Sequence, residues 1–277
     1  MNRNILITGG NSGIGREMAS TLAELGNRVI IASRDQNKSQ TEVFAIRKAL
    51  NIPGREVDID AMPLDLSNFD NIDRFSDDIL KLMPTIDVLI LNAGLYTHRL
   101  RTLDNGLEAM VGIMHFGHFR LVRNLLDAVK TAADGRIVVT SSMSHKFGRI
   151  DEKSFTDPDQ HKLAFSAYAQ AKLANLLFTR QLAVNLQGSP VTANAFHPGA
   201  VSTGIWTELP KPAQALISPF LINTKKGADT AIWLASSREA KDYNGEYFVK
   251  RKIAMSTRTS KDMKLAQKLW SLTEARM

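Results

Sequence analysis

The feature that most constrains this chain is its beginning, Asn4 to Leu25, which reads NILITGGNSGIGREMASTLAEL. Ile5, Leu6 and Ile7 make a short apolar run of the length of a buried strand. A glycine-rich turn, TGGNSGIG, follows, and Met18, Leu22 and Leu25 then recur at helical spacing. Strand, glycine turn and helix together form an anion site, because the first N–H groups of the helix lack intrahelical partners and its dipole favours negative charge. A nucleotide pyrophosphate is the natural occupant of such a turn. Gly9 and Gly13 suit a tight turn, and Gly15 suits close packing of helix on strand. The spacing is G-x-x-x-G-x-G rather than the commoner G-x-G-x-x-G, so the rest of the chain has to carry part of the argument.

That remainder alternates apolar runs with helical periods. Strands are expected over Arg28–Ser33, Val57–Leu64, Ile86–Leu91, Arg136–Thr140, Val191–Phe196 and Tyr247–Val249. Helices are expected over Asp35–Leu50, Asn68–Leu82, Leu103–Val129 (as one long helix), Phe165–Leu186, Gly227–Ala235 and Asp262–Leu272. Strands with almost no polar interruption belong to a parallel sheet covered on both faces. The expected fold is α/β: one doubly wound Rossmann domain over residues 1–277, with a parallel sheet of about seven strands and helices on both faces.

The 277 residues contain no Cys, which excludes disulfide frameworks, thiolate metal sites and cysteine nucleophiles. No run of 18 apolar residues appears, so neither a signal peptide nor an integral membrane segment is expected, and a cytoplasmic location is. The net charge of +7 permits contact with nucleic acid. Its Lys and Arg are spread out, however, with Lys225-Lys226 and Lys250-Arg251-Lys252 the densest clusters, and no aromatic-basic motif accompanies them. Solvated charge is the simpler reading, and no nucleic-acid partner is expected.

Residues able to do chemistry fall just after strands: Asp65 after the third, Asn92-Ala93-Gly94 after the fourth, Ser141-Ser142 after the fifth and His197-Pro198-Gly199 after the sixth. Tyr168 and Lys172 lie four apart on one helix and so share a face. TGGNSGIG, NAG at 92–94, Ser142, Tyr168-Ala-Gln-Ala-Lys172 and Pro198-Gly199 with Thr203, in this order, resemble the short-chain dehydrogenase/reductase family. ASRD at 32–35, LDNGLE at 103–108, HFGHF at 115–119, SSMSH at 141–145 and SKDMKLAQKLW near the end resemble its retinol-dehydrogenase-like branch.

The resemblance implies a catalytic set of Ser142, Tyr168 and Lys172. It implies cofactor contacts from Gly9, Asn11, Ser12, Gly13, Ile14, Gly15, Arg16, Arg34, Asp65, Leu66, Asn92, Ala93, Gly94, Tyr168, Lys172, Pro198, Gly199, Val201 and Thr203. A carbonyl reduced by hydride needs a proton donor at the developing alkoxide, and a phenol near pKa 10 is assisted by a cation on the same helix face. Ser142 can hydrogen-bond the carbonyl oxygen. The acid that would bond the adenosine ribose is expected about 20 residues past the turn. Ser33 occupies that place, Arg34 follows, and Arg16 sits at the turn, so the 2′-phosphate of NADP(H) is favoured. Asp35 is expected to cap the next helix.

One departure stands out. Aligning HFGHF puts Met114 where the family has an asparagine that helps hold a water chain to the lysine, and a thioether is a weak acceptor and no donor. A nucleotide-binding regulator on the same fold is therefore the alternative to an NADPH-dependent carbonyl reductase or alcohol dehydrogenase acting on a hydrophobic small molecule. His115 and His118 lack a third ligand, so packing or capping is expected of them and no metal. His145 and Trp206 are candidate substrate contacts. The apolar segment from Thr203 to Thr224 is either core packing or, by the resemblance, a substrate lid. A homodimer or homotetramer is compatible with the family.

Overall fold

Each central strand alternates its side chains between two cores. Ile5 and Ile7 of β1 (Asn4–Thr8), Val29 and Ile31 of β2 (Arg28–Ser33) and Val88 and Ile90 of β4 (Val88–Leu91) enter one apolar cluster. Leu6, Ile30, Leu89 and Leu91 enter the other. A strand apolar on both faces has to be covered twice, and helices do so. The first cluster is closed by α1 (Gly13–Glu24), α2 (Gln36–Leu50) and α6 (Thr224–Ser236), through Met18, Leu22, Val43, Ile46, Ala231 and Leu234. The second is closed by α3 (Phe69–Leu82), α4 (residues 109–130) and α5 (Ala164–Asn185), through Phe75, Ile79, Val122, Leu125, Leu176 and Leu182. A last helix, α7 (Met263–Glu274), lies on α5, with Trp270 stacked on Phe178 at 5.8 Å.

The computed structural model describes residues 2–51, 53–54, 56–199 and 223–277. Among these, β3 (Ile59–Pro63), β5 (Gly135–Thr140), β6 (Val191–His197), β7 (Tyr247–Val249) and β8 (Lys252–Ile253) complete an eight-stranded sheet in the order β3-β2-β1-β4-β5-β6-β7-β8. The chain reverses its direction of travel across the sheet between β1 and β4, which opens a crevice at the carboxyl ends of the strands. Residues 200–222 lie outside the described set, and with them Val201, Thr203, Trp206 and nearly all of the expected lid. The last two residues of that stretch are described: Asn223 caps α6 and Thr224 begins it.

The doubly wound, mostly parallel sheet is as expected, with two differences of detail. The sheet has an eighth strand, and it is antiparallel. Lys250 and Arg251 turn the chain with φ of 51° and 60°. A two-residue hairpin wants positive φ at both central positions and usually takes Asn-Gly there, so Lys-Arg gave no turn signal. The long helix expected from Leu103 is also broken. Thr102 bridges Glu108, and Gly106 turns at φ +81°. Helix α4 starts only at Ala109, where the buried Glu108 carboxylate accepts from Met110 N and Val111 N, each at 3.0 Å. It runs through Ala109–Val111, a π-helical stretch Gly112–Gly117, and His118–Lys130. A Cβ on Gly117 would stand 2.3 Å from the Leu66 carbonyl oxygen, so only glycine lets this helix cross the loop after β3.

Candidate active site

The turn after β1 is built for close approach. Gly9 has φ +68°, and a Cβ there would meet Ala93 Cα at 2.9 Å. At Gly15 a Cβ would stand 2.1 Å from the Gly9 carbonyl oxygen. Ser12 is the N-cap of α1, yet its side chain makes no capping bond, so the first N–H groups of the helix are left for a ligand. Asn11 is buried, its Nδ2 donating to Ser33 Oγ at 2.8 Å and Ser39 Oγ at 3.2 Å. Gly13 and Ile14 are partly exposed in the first turn of α1. Asn92 Nδ2 donates to the carbonyls of Thr8 and Gly9, and Asn92 N and Ala93 N both donate to Thr8 Oγ1, at 2.9 and 3.0 Å. Asp65 Oδ1 accepts from Ser67 N and Oγ, while Leu66 is buried beneath α4. Pro198 and Gly199 lie partly exposed at the end of β6. A nicotinamide dinucleotide fits this cradle, because its glycines hold space that any Cβ would fill and the uncapped α1 terminus offers donors to a pyrophosphate.

The two basic residues expected at the ribose behave differently. Arg34 is exposed, and no ion pair or hydrogen bond of its side chain occurs among the described residues. Arg16 is engaged: its Nε pairs with Glu42 Oε2 at 2.5 Å. Of the two guanidiniums expected at the ribose, Arg16 already shares its Nε with Glu42, and Arg34 is the less engaged. Asp35 caps α2 as expected, accepting from Lys38 N at 3.0 Å.

Across the crevice, Ser142 lies two residues past β5 and opens a short turn, while Tyr168 and Lys172 project from one face of α5. Lys172 is buried, its Nζ donating to the Thr140 carbonyl at 3.3 Å and lying 5.5 Å from the centroid of the Tyr168 ring. Burial pushes Lys172 down to about 8. Burial pushes Tyr168 up to about 12, and the Ser142 hydroxyl acts the other way. The lowering of the phenol expected from Lys172 is absent in this geometry, where desolvation sets the direction and only Ser142 opposes it. Sequence reasoning also passed over Tyr96, whose ring meets Tyr168 edge-on at 5.6 Å, and Thr8, which gathers the NAG loop and His118 Nε2. Thr8 could have been found, as a hydroxyl directly beside the glycine turn.

Met114 is fully buried in the π-helical stretch. Its Sδ lies 3.2 Å, and Lys172 Nζ 3.6 Å, from the position a Cβ would take on Gly94, so both line the space over that glycine. His118 fastens this stretch, with Nδ1 3.0 Å from the Met114 carbonyl oxygen and Nε2 2.9 Å from Thr8 Oγ1. His115 Nε2 is 2.9 Å from Thr273 Oγ1. Both imidazoles pack and bond as expected. His145 is 1% exposed. It lies behind Ser142, so the expectation that it touches substrate is not met. Among the described residues no helix is long and apolar enough to cross a membrane.

Glycine cradle, switch-point crevice and a Ser–Tyr–Lys group on its far wall define a dinucleotide-binding oxidoreductase. A family model for the short chain dehydrogenase matches residues 3–214, and the chain belongs to that family. Retinol dehydrogenase 14 of Homo sapiens is 36% identical over 98% of this chain and 85% of its own length. Retinol dehydrogenase 12 of Mus musculus is 36% identical over 97% and 84%. These relatives place the chain in the retinol-dehydrogenase-like branch. A crystal structure of an uncharacterised protein from Mycobacterium paratuberculosis superposes with a TM-score of 0.78 at 30% identity, covering 99% of this chain and 92% of that one. A Pseudomonas aeruginosa RhlG/NADP complex shares the fold, with a TM-score of 0.71 at 24% identity over 89% and 93%.

Proposed function

We propose that the protein is an NADP(H)-dependent oxidoreductase that interconverts a carbonyl and an alcohol on a hydrophobic small molecule. The observation that carries this reading is the half-buried Tyr168, beside the Ser142 hydroxyl and with Lys172 Nζ 5.5 Å from its ring centroid. The bound nicotinamide would supply or accept the hydride. The protein's own residues do the rest. Ser142 donates a hydrogen bond to the carbonyl oxygen, and Tyr168 gives its proton to the alkoxide as charge collects there. Lys172, held near neutrality by burial, stands beside the resulting phenolate and can return a proton to it.

Two features support the finer parts of the reading. Arg34, exposed just beyond β2, is the group suited to a 2′-phosphate. Arg34→Ala is expected to weaken NADPH by about ten- to a hundredfold, the value of one charge-assisted contact, and to leave NADH almost unchanged. Titrating both cofactors checks this, and equal losses would remove Arg34 from phosphate recognition. For the substrate, Met143, Phe147, Leu163 and Phe165 are 50%, 70%, 68% and 40% exposed on the segments that carry Ser142 and Tyr168. Phe147 and Phe165 touch at 5.8 Å. Apolar surface left open around a catalytic group suits an apolar ligand. The retinol dehydrogenases among the relatives are named for such an alcohol.

Met114 favours a second reading, a nucleotide-binding regulator. Turnover of a panel of aldehydes and ketones with NADPH separates the two. If the first holds, an amide at position 114 would face Lys172 Nζ as an acceptor. Met114→Asn is then expected to raise kcat by about three- to tenfold at unchanged NADPH Kd, the pattern of an interaction made only in the transition state. Its thermal midpoint should fall by a few degrees, since part of the amide is buried among Leu107, Met110 and Phe116. A stable Met114→Asn protein with unchanged kcat would sink the proton-relay argument.

A further inference from the structure

Behind Ser142 lie buried polar atoms that the chemistry above does not use. His145 sits in the 3₁₀ turn Met143–Phe147 that follows Ser142. The Ser142 carbonyl accepts twice from it, from the backbone N–H at 3.1 Å and from ring Nδ1 at 2.6 Å. A carbonyl can only accept, so Nδ1 carries the proton and Nε2 of the neutral ring is a bare acceptor. Nε2 is buried and has no protein partner, and the same is true of Tyr247 Oη. The two rings meet edge-on with centroids 5.0 Å apart. Tyr247 is 1% exposed on β7, and burial raises its phenol, so it keeps its proton and its O–H needs an acceptor. His197, two strand positions beyond the Ala195 that pairs with Tyr247, also leaves a buried nitrogen, Nδ1, unpaired. A donor and an acceptor, each buried without another partner, are costly unless they meet directly or through one water.

We propose that His145 is a positioning residue for Ser142 and is itself held by Tyr247. Tyr247 O–H reaches His145 Nε2 through one bridging water, since each atom is buried without a protein partner. This fixes the tautomer whose Nδ1–H clamps the Ser142 carbonyl. With its carbonyl clamped, Ser142 holds the extended backbone, φ −158° and ψ 157°, that presents its hydroxyl beside Tyr168. The hydroxyl meets Ser144 Oγ at 3.2 Å and Ser144 N at 3.2 Å, so it rests on a neighbour from which a carbonyl oxygen can take it. The imidazole never touches substrate. It plays the part a carboxylate plays for a catalytic histidine, orienting the group that does the chemistry.

The proposal rests on the oxidoreductase reading for its effect on rate, but its geometry can be tested without turnover. Nitrogen-15 spectra of the full-length protein should show His145 as the neutral Nδ1–H tautomer, and Tyr247→Phe should move its Nε2 resonance. Kinetically, His145→Leu keeps volume and removes the donor, and it should lower kcat by about tenfold or more at nearly unchanged NADPH Kd. His145→Asn puts an amide N–H near the place of Nδ1 and should recover most of that loss, which a packing role would not produce. An Nε2–H tautomer, an Nε2 resonance unmoved in Tyr247→Phe, or a His145→Leu enzyme with wild-type kcat would each overturn it. A wild-type protein that turned over no carbonyl would count against the oxidoreductase reading, while the tautomer result would still decide the arrangement.

Discussion

A Tyr168→Phe protein is expected to lose turnover by on the order of a thousandfold while holding NADPH about as tightly as the unmodified chain. Only a phenolic O–H is removed. The ring keeps its edge-on contact with Tyr96 and its place against the apolar cluster of α4, α5 and α7, so the fold should be undisturbed. At about 12, the phenol is protonated throughout the neutral range and is a ready donor. Among the described residues nothing else at the site replaces it: Ser142 is far weaker as an acid, and Lys172 is directed at the Thr140 carbonyl. Single-turnover kinetics with NADPH in excess, together with direct cofactor titration, separates chemistry from binding. Retention of more than about a tenth of kcat would move the proton donor elsewhere.

How far the sequence could be read follows from where each signal resides. The doubly covered sheet was legible because runs such as IDVLIL have no polar face, and such a strand has to be buried twice. The break before α4 was not legible. Leu103, Leu107, Met110 and Met114 keep helical spacing straight through a turn at Gly106, and the true start is a buried Glu108 whose role shows only once it caps Met110 and Val111. The hairpin at Lys250-Arg251 was hidden because its positive φ values fall on residues that rarely adopt them. At the site, residue types and order carried the catalytic group, since four residues along a helix share a face whatever surrounds them. Electrostatics did not follow in the same way. Arg16 is captured by Glu42 from the neighbouring helix, and burial shifts Tyr168 in the direction opposite to that expected from Lys172. Both depend on long-range packing, which local spacing does not report.

The protein is expected to lose stability steeply as the pH falls from 6.5 towards 4, through histidines rather than carboxylates. Burial lowers His115 from 6.5 to about 3, with His118 adding to the effect, and lowers His118 and His197 each to about 4. All three are neutral in the folded chain. The unfolded chain therefore takes up protons first as the pH drops, and stability present above 6.5 is lost progressively down to the folded values. Displacements of this size are worth roughly 3 to 5 kcal/mol per histidine, and three of them rival the roughly 5–15 kcal/mol that holds a domain together. The carboxylates act lower. Its bond to Arg120 holds Asp73 below 3.8; at Asp134 burial works upward, but Arg136 and Arg3 outweigh it. Their contributions are lost only below that value. His118 has a specific reason to resist a second proton. Its Nδ1–H is committed to the Met114 carbonyl, so Nε2 accepts from Thr8, whose oxygen already receives two backbone N–H groups. Urea midpoints measured between pH 7 and 4.5 should fall with a linkage slope approaching about three protons. His115→Leu should reduce that slope by about one, and without collapse, because its neighbours are the rings of Phe116, Phe119 and Phe178 and Thr273 Oγ1 still bonds the Leu269 carbonyl. A midpoint flat across that range would show that these imidazoles charge inside the folded protein, and the tight bonding of His118 between β1 and α4 would have to be given up.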